Sequence, residues 1–285
     1  MATLGFAGLG VMGWPMARHL MAAGHTVRVH NRSPEKADRF AAAYGATPCR
    51  SSAEAADGAD AFITCVGNDD DVREVTVGRE GAFSTLPAGA LFIDHSTVSA
   101  SLARDLSGQT PAVRCIDAPV SGGQAGAEAG QLAIMCGGEA EAVEAARPIL
   151  ECYGRRVVHI GPPGHGQLAK MANQIAIAGI VQGLSEAMHF ALKAGLDTEA
   201  LLDAIGQGAA QSWQMDNRAR TMVQGKFDFG FAVELMRKDL GLVLSEAREN
   251  GASLPVAALV DQFYADIQKM GGARQDTSSL IRRLG

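Results

Sequence analysis

Leu4-Gly5-Phe6-Ala7-Gly8-Leu9-Gly10-Val11-Met12-Gly13 decides the fold: an apolar run, three glycines in G-x-G-x-x-G spacing, then a stretch of helical character. The glycine spacing alone says little, because 34 glycines among 285 residues make chance matches common. The setting of strand, glycine turn and helix carries the argument. Gly8 permits a tight turn, Gly10 lets a ligand's pyrophosphate approach the backbone, and Gly13 lets the helix pack closely on the sheet. The helix N-terminus offers free N–H groups and a partial positive charge. Gly8, Leu9, Gly10, Val11, Met12 and Gly13 are therefore expected along a bound dinucleotide.

Thr26 to His30 reads as the second strand, ending at Asn31. At this point, about twenty residues past the glycines, NAD-binding proteins keep an acid for the ribose hydroxyls. This chain has Asn31-Arg32-Ser33 instead. Arg32 can pair with a 2′-phosphate or stack on adenine, and Ser33 and Lys36 add donors. The expected cofactor is NADP, with NAD possible. Read blandly, the same residues are a solvated arginine before a helix start at Ser33-Pro34-Glu35.

Working outward, apolar runs alternate with helical stretches through the first half: Ala59 to Val66, Ala90 to Ile93, Val113 to Ile116, Leu132 to Cys136 and Arg156 to Ile160 read as strands. That rhythm predicts a doubly wound sheet. The alanine-rich stretch Ala41 to Ala61 reads as helix surface and packing. After Gly161-Pro162-Pro163-Gly164 the periodicity becomes helical almost to the end, with no further convincing strand. The expected architecture is α/β: a Rossmann-type domain over 1–162, then an all-α substrate and oligomerisation domain over 163–285, joined by a long apolar helix from Gln167 to Ala194.

Composition bounds the function. With 47% hydrophobic and 20% charged residues and a net charge of −6, this is the make-up of an ordinary globular enzyme. The acidic balance and the lack of a Lys/Arg cluster argue against a nucleic-acid partner. Cys49, Cys65, Cys115, Cys136 and Cys152 form no C-x-x-C pair and read as reduced thiols of a cytoplasmic protein. No signal peptide and no membrane span are expected, since the apolar run Met171 to Leu184 is broken by Asn173, Gln174 and Gln182.

Three further segments can carry chemistry. Asp117-Ala118-Pro119-Val120-Ser121-Gly122-Gly123 ends in a hydroxyl and two unencumbered backbone N–H groups, a nest for a small carboxylate or simply a polar loop. Gly164-His165-Gly166-Gln167-Leu168-Ala169-Lys170 opens the long helix, with Asn173 and Gln174 on the same face as Lys170. A lysine in an apolar helix pays desolvation, which suits it to proton transfer near neutrality, although snorkelling or a structural ion pair would also accommodate it. Phe231 to Leu240 reads as an amphipathic helix whose Arg237-Lys238-Asp239 run is ordinarily a solvated face. His95 and His165 are rival acid/base candidates, and His19 and His25 read as surface or capping groups. No histidine pair has metal-ligand spacing, so no metal is expected.

Taken together these segments resemble the β-hydroxyacid dehydrogenase family, over the whole chain. The resemblance rests on the glycine fingerprint, Ala118 to Gly123, the Gly-x-Gly-x-x-x-Lys run ending at Lys170, Lys238-Asp239-Leu240, Leu254-Pro255 and Asp276-x-Ser278. It implies that Lys170 is the catalytic acid/base and that Ser121, Gly122 and Gly123 hold a substrate carboxylate. It further implies that Asn173 and Gln174 orient the substrate, with Phe231 and Asp239 lining its pocket, and that Thr97, Lys238, Val66, Gly67 and Asp71 lie along the cofactor. Val66-Gly67 departs from the Leu-Pro of many relatives, and Gln174 from the second Asn of the hydroxyisobutyrate type.

The implied partner is a small carboxylate-bearing aldehyde or hydroxy acid, and the implied assembly a homodimer or homotetramer. Imine reduction, decarboxylation of the 6-phosphogluconate type and non-catalytic NADP binding remain as alternatives.

Overall fold

The computed structural model describes residues 1–285. They form two compact units, Met1–Lys170 and Met171–Gly285. The first unit begins with β1 (Thr3–Ala7), α1 (Gly13–Ala22), β2 (Thr26–His30), α2 (Pro34–Tyr44), β3 (Thr47–Pro48), α3 (Ser52–Ala56), β4 (Ala61–Thr64) and α4 (Asp69–Val77). It continues with β5 (Leu91–Asp94), α5 (Ala100–Gln109), β6 (Arg114–Asp117), β7 (Val120–Ser121), α6 (Gly123–Ala129), β8 (Leu132–Gly137), α7 (Ala140–Leu150) and β9 (Gly154–Gly161).

The nine strands make one sheet in the order β3-β2-β1-β4-β5-β6-β8-β7, with β9 also on β8. Strands β1 to β6 run parallel, and β8 is antiparallel to β6 and β7. Helices cover both faces, so a strand needs apolar residues on both sides. In β4, Ala61 and Ile63 enter one core with Leu4, Phe6, Met16 and Leu20, while Phe62 enters a second with Phe92, Leu102 and Leu106. This double burial is why the strands read as continuous apolar runs.

Two predicted elements differ. Within Ala41 to Ala61 the chain leaves α2 at Gly45, which takes the left-handed conformation, pairs briefly as β3 and then forms α3. A two-residue strand is too short to show a period in sequence. Similarly, Val120–Ser121 is not loop but strand β7, paired with Ile134 and Ala133.

Helix α8 (His165–Lys193) begins in the first unit and continues into the second. Its length and apolar composition would allow it to cross a membrane. Buried Gln167, Lys170, Gln174, Gln182 and Ser185 along it instead suit a core helix with satisfied polar contacts. The second unit adds α9 (Thr198–Ile205), α10 (Trp213–Val223), α11 (Val233–Asn250), α12 (Pro255–Lys269) and a terminal 3₁₀ segment (Thr277–Leu284). Asp197 and Ser212 cap α9 and α10 through their side chains, and Pro255 starts α12. Val181, Met188, Met236, Leu240, Tyr264 and Ile267 centre its core.

Helix α11 begins at Val233, two residues later than the pattern suggests. Phe231 and Ala232 lie outside it because Ala232 bridges Asp276 and Phe231 N donates to the Asp276 carboxylate at 2.9 Å. A tertiary partner thereby takes backbone that helical periodicity would claim.

Candidate active site

In a parallel sheet the C-terminal strand ends share one edge, and here strand order reverses between β1 and β4, where ligands of such sheets bind. The glycine turn follows β1. Gly8 has φ +100°, and a Cβ on Gly13 would stand 1.9 Å from the Gly8 carbonyl oxygen. Both glycines are needed for the fold itself. A Cβ on Gly10, by contrast, would meet nothing within 4 Å, so the backbone there opens onto free space. Leu9 is buried, while Gly10 and Val11 are exposed. These residues fit a dinucleotide pyrophosphate: two glycines shape the turn and the third leaves it accessible.

Asn31 supports that turn. Its Oδ1 accepts from Leu9 N at 2.9 Å, and its Nδ2 donates to the Ser33 carbonyl at 3.2 Å. Arg32, Ser33 and Lys36 are exposed beside it. The Arg32 guanidinium pairs with Asp71 at 3.2 Å.

The loops after β4 and β5 are tied together. Val66 N donates to Ser96 Oγ at 2.9 Å, and Gly67 N to Asp71 Oδ2 at 3.2 Å. Asp94 accepts from Thr64 Oγ1 at 2.8 Å and from Ser96 N at 2.9 Å, yet burial still pushes its carboxyl up to about 6.

Thr97 is half-buried, and Gln167 grips the backbone on both sides of it. Gln167 Oε1 accepts from Val98 N at 3.1 Å, and its Nε2 donates to the Ser96 carbonyl at 2.8 Å.

Lys170 is 8% exposed, and its Nζ donates to the Val120 carbonyl at 2.9 Å. Val120 immediately precedes Ser121, and Gly122 and Gly123 follow with φ +132° and +62°. A Cβ on Gly123 would meet nothing within 4 Å, so this backbone too faces open space. One carboxylate joins the two segments: Asp117 accepts from Gly164 N and Gln167 N, each at 2.8 Å, and so caps the start of α8. Desolvation raises the Asp117 carboxyl to about 6 despite these bonds.

The second unit holds a separate polar set. Asn173 Nδ2 donates to Gln174 Oε1 at 2.8 Å, and Gln174 Nε2 donates to Asp239 Oδ2 at 2.7 Å. Lys238 Nζ lies 3.3 Å from Asp239 Oδ1. Asp239 is buried rather than part of a solvated face, and Arg237 is engaged by Asp261 and Gln268. Phe231 is half-buried on the segment that Asp276 holds.

Asp117 and Gln167 are the positioning groups that sequence reasoning left unassigned. Their signal was polarity at an apolar strand end and in the first turn of an apolar helix. His95 is removed as a rival acid/base: it is 3% exposed, and Nδ1 donates to the Ala118 carbonyl at 2.6 Å. Its Nε2 then accepts from Tyr153 Oη at 2.8 Å, and burial lowers its pKa to about 4. His19 reaches the Ala127 and Glu128 carbonyls, and His25 accepts from Ala2 N.

A family profile described as the NAD-binding domain of 6-phosphogluconate dehydrogenase matches residues 3–161. Another, described as NAD-binding of NADP-dependent 3-hydroxyisobutyrate dehydrogenase, matches residues 164–284. The chain is 52% identical to an uncharacterized oxidoreductase of Shewanella frigidimarina, over 100% of this chain and 98% of that one. It is 34% identical to the 2-hydroxy-3-oxopropionate reductase of Escherichia coli, over 99% and 96%.

The solved structure of Mycobacterium tuberculosis 3-hydroxyisobutyrate dehydrogenase with L-serine superposes with a TM-score of 0.90 at 35% identity, covering 100% of this chain and 99% of that one. With the fold, the glycine turn and both halves of the sequence in agreement, the chain belongs to the β-hydroxyacid dehydrogenase family of oxidoreductases.

Proposed function

We propose that this protein interconverts a short β- or ω-hydroxy acid and its semialdehyde, using NADP in preference to NAD, with Lys170 as acid/base. The candidate substrates are of the glyoxylate, succinic semialdehyde, tartronate semialdehyde and 3-hydroxyisobutyrate type. The observation that carries this reading is the Lys170 amine, buried to 8% exposure and 2.9 Å from the carbonyl next to Ser121.

A nicotinamide cofactor would supply or accept hydride at the substrate carbon. Gly8 to Gly13 would hold its pyrophosphate, Arg32, Ser33 and Lys36 its 2′-phosphate, and Thr97 and Lys238 its nicotinamide half. Ser121 and the Gly122 and Gly123 backbone would hold the substrate carboxylate, fixing the reacting carbon in one orientation. In the reductive direction protonated Lys170 donates a proton as alkoxide charge develops; in the oxidative direction neutral Lys170 removes the hydroxyl proton. Asn173, Gln174, Phe231 and Asp239 would be further substrate residues, and the hydrogen-bonded chain of Asn173, Gln174 and Asp239 suits a short polar acid.

Lys170 and the Ser121–Gly123 backbone favour this chemistry over imine reduction, and the lysine favours an enzyme over a non-catalytic binder. Exposed Ile180, Phe190, Leu192 and Leu196 support a homodimer or homotetramer. The test is oxidation of NADPH, with NADH in parallel, across short aldehyde acids. Turnover ranked by kcat/KM identifies substrate and cofactor, and no turnover of any aldehyde acid would remove the proposal.

A further inference from the structure

We infer that Asp71 is a selectivity residue that restrains 2′-phosphate binding at Arg32, so that the chain keeps access to NAD alongside NADP. This rests on reading Gly8–Gly13 and Arg32 as the nucleotide site. Asp71 stands in the first turn of α4, and its two carboxylate oxygens have different partners. Oδ2 accepts from Gly67 N at 3.2 Å, and Oδ1 lies 3.2 Å from Arg32 Nη1. The first bond depends on this chain's departure at position 67, since a proline there would have no N–H to give. It also depends on the side chain being absent: a Cβ on Gly67 would stand 2.6 Å from Asp71 Oδ2.

The carboxylate is thus tied to backbone, with 31% of its side chain exposed, whereas the side chain of the arginine it faces is 90% exposed. A pair so exposed contributes little to stability. Its effect falls on an incoming anion. A 2′-phosphate seeking the Arg32 guanidinium meets a fixed negative charge already on Nη1, and must displace it or bind beside it. NAD, with hydroxyls at the same place, meets acceptor oxygens that its ribose can donate to. Asp71 is therefore chemically equivalent, from the first turn of α4, to the acid missing after β2.

Dissociation constants of NADP⁺ and NAD⁺, measured by calorimetry on the full chain, test this without turnover. Asp71→Asn keeps the size and an acceptor for Gly67 N but removes the charge. It should tighten NADP⁺ about three- to fivefold and leave NAD⁺ unchanged or weaker. Asp71→Ala should shift the ratio the same way. Arg32→Ala should weaken NADP⁺ by about tenfold with little change for NAD⁺.

If Arg32→Ala shifts the ratio and neither Asp71 variant does, the inference is overturned while the nucleotide site stands. Weaker NADP⁺ binding in Asp71→Asn overturns it as well, because Asp71 would then orient Arg32 for the phosphate. If Arg32→Ala leaves the ratio unchanged, the 2′-phosphate reading fails and the inference falls with it.

Discussion

Lys170 and Val120 are joined by a 2.9 Å hydrogen bond from a buried side-chain amine to a main-chain carbonyl. That bond holds the amine beside the segment continuing into Ser121, at a position only 8% exposed. Replacing Lys170 by Ala should lower kcat by about 100- to 10,000-fold, the usual worth of a positioned acid/base. NADPH affinity, measured by fluorescence titration, should change less than about twofold because the glycine turn is untouched. Turnover within a few-fold of wild type would exclude Lys170 from the chemistry.

Asp117 acts one step back from that bond. Its carboxylate receives Gly164 N and Gln167 N, and without it these N–H groups at the start of α8 are buried with no acceptor. Asp117→Ala should cost about 1–3 kcal/mol in urea unfolding. It should also lower kcat, because Lys170 sits one turn beyond Gln167. Unaltered stability would show that the cap carries no weight.

The glycine turn separates shape from access. Gly13→Ala forces a Cβ against the Gly8 carbonyl and should reduce the melting temperature by several degrees. Gly10→Ala meets no protein atom, so it should melt close to wild type while losing nucleotide affinity. Equal losses of stability in the two variants would contradict this division.

Acid stability carries a signature of His95. Its pKa is lowered from 6.5 to about 4 in the fold, so between those values the unfolded chain binds a proton that the native chain does not. The stability contributed by neutral His95 is present above pH 6.5 and is lost as pH falls toward 4, by at most about 1.4 kcal/mol per pH unit. Asp94 and Asp117, raised from 3.8 to about 6, act oppositely: over that interval the native chain binds the extra protons, and stability falls as pH rises. His95→Gln should therefore remove the first slope and leave the second, giving a protein that gains relative stability on acidification from pH 6 to 4. Urea unfolding at half-unit pH steps reads this directly, and parallel profiles for the two proteins would refute it.

The strands and the glycine turn were legible because their signals are local. An apolar run buried on both faces, a turn that needs φ above zero and a helix that follows are all properties of adjacent residues. Elements whose cause is tertiary were not. Asp276 accepts from Phe231 N and keeps that residue out of α11, though the two lie 45 positions apart. Strand β7 exists because β8 presents it with an edge.

The candidate site divides the same way. Lys170 and Arg32 stood out as candidates, since an amine in an apolar helix or an arginine where an acid is usual is conspicuous in a one-dimensional string, while the roles of Lys170 and Ser121 came from the family resemblance. Which partner each side chain meets could not be read, because hydrogen bonds between residues 22 to 71 positions apart have no periodicity. Sequence alone determined the α/β class and the dinucleotide turn, set by local backbone preference, and named the candidate reactive groups. The tertiary structure decided that His95 is a buried, neutral strut, that Asp117 and Gln167 hold α8 and the Thr97 loop, and that Asp71 faces Arg32. The physical reason is that packing brings distant donors and acceptors into low-dielectric contact, where having a partner or lacking one settles what a side chain does.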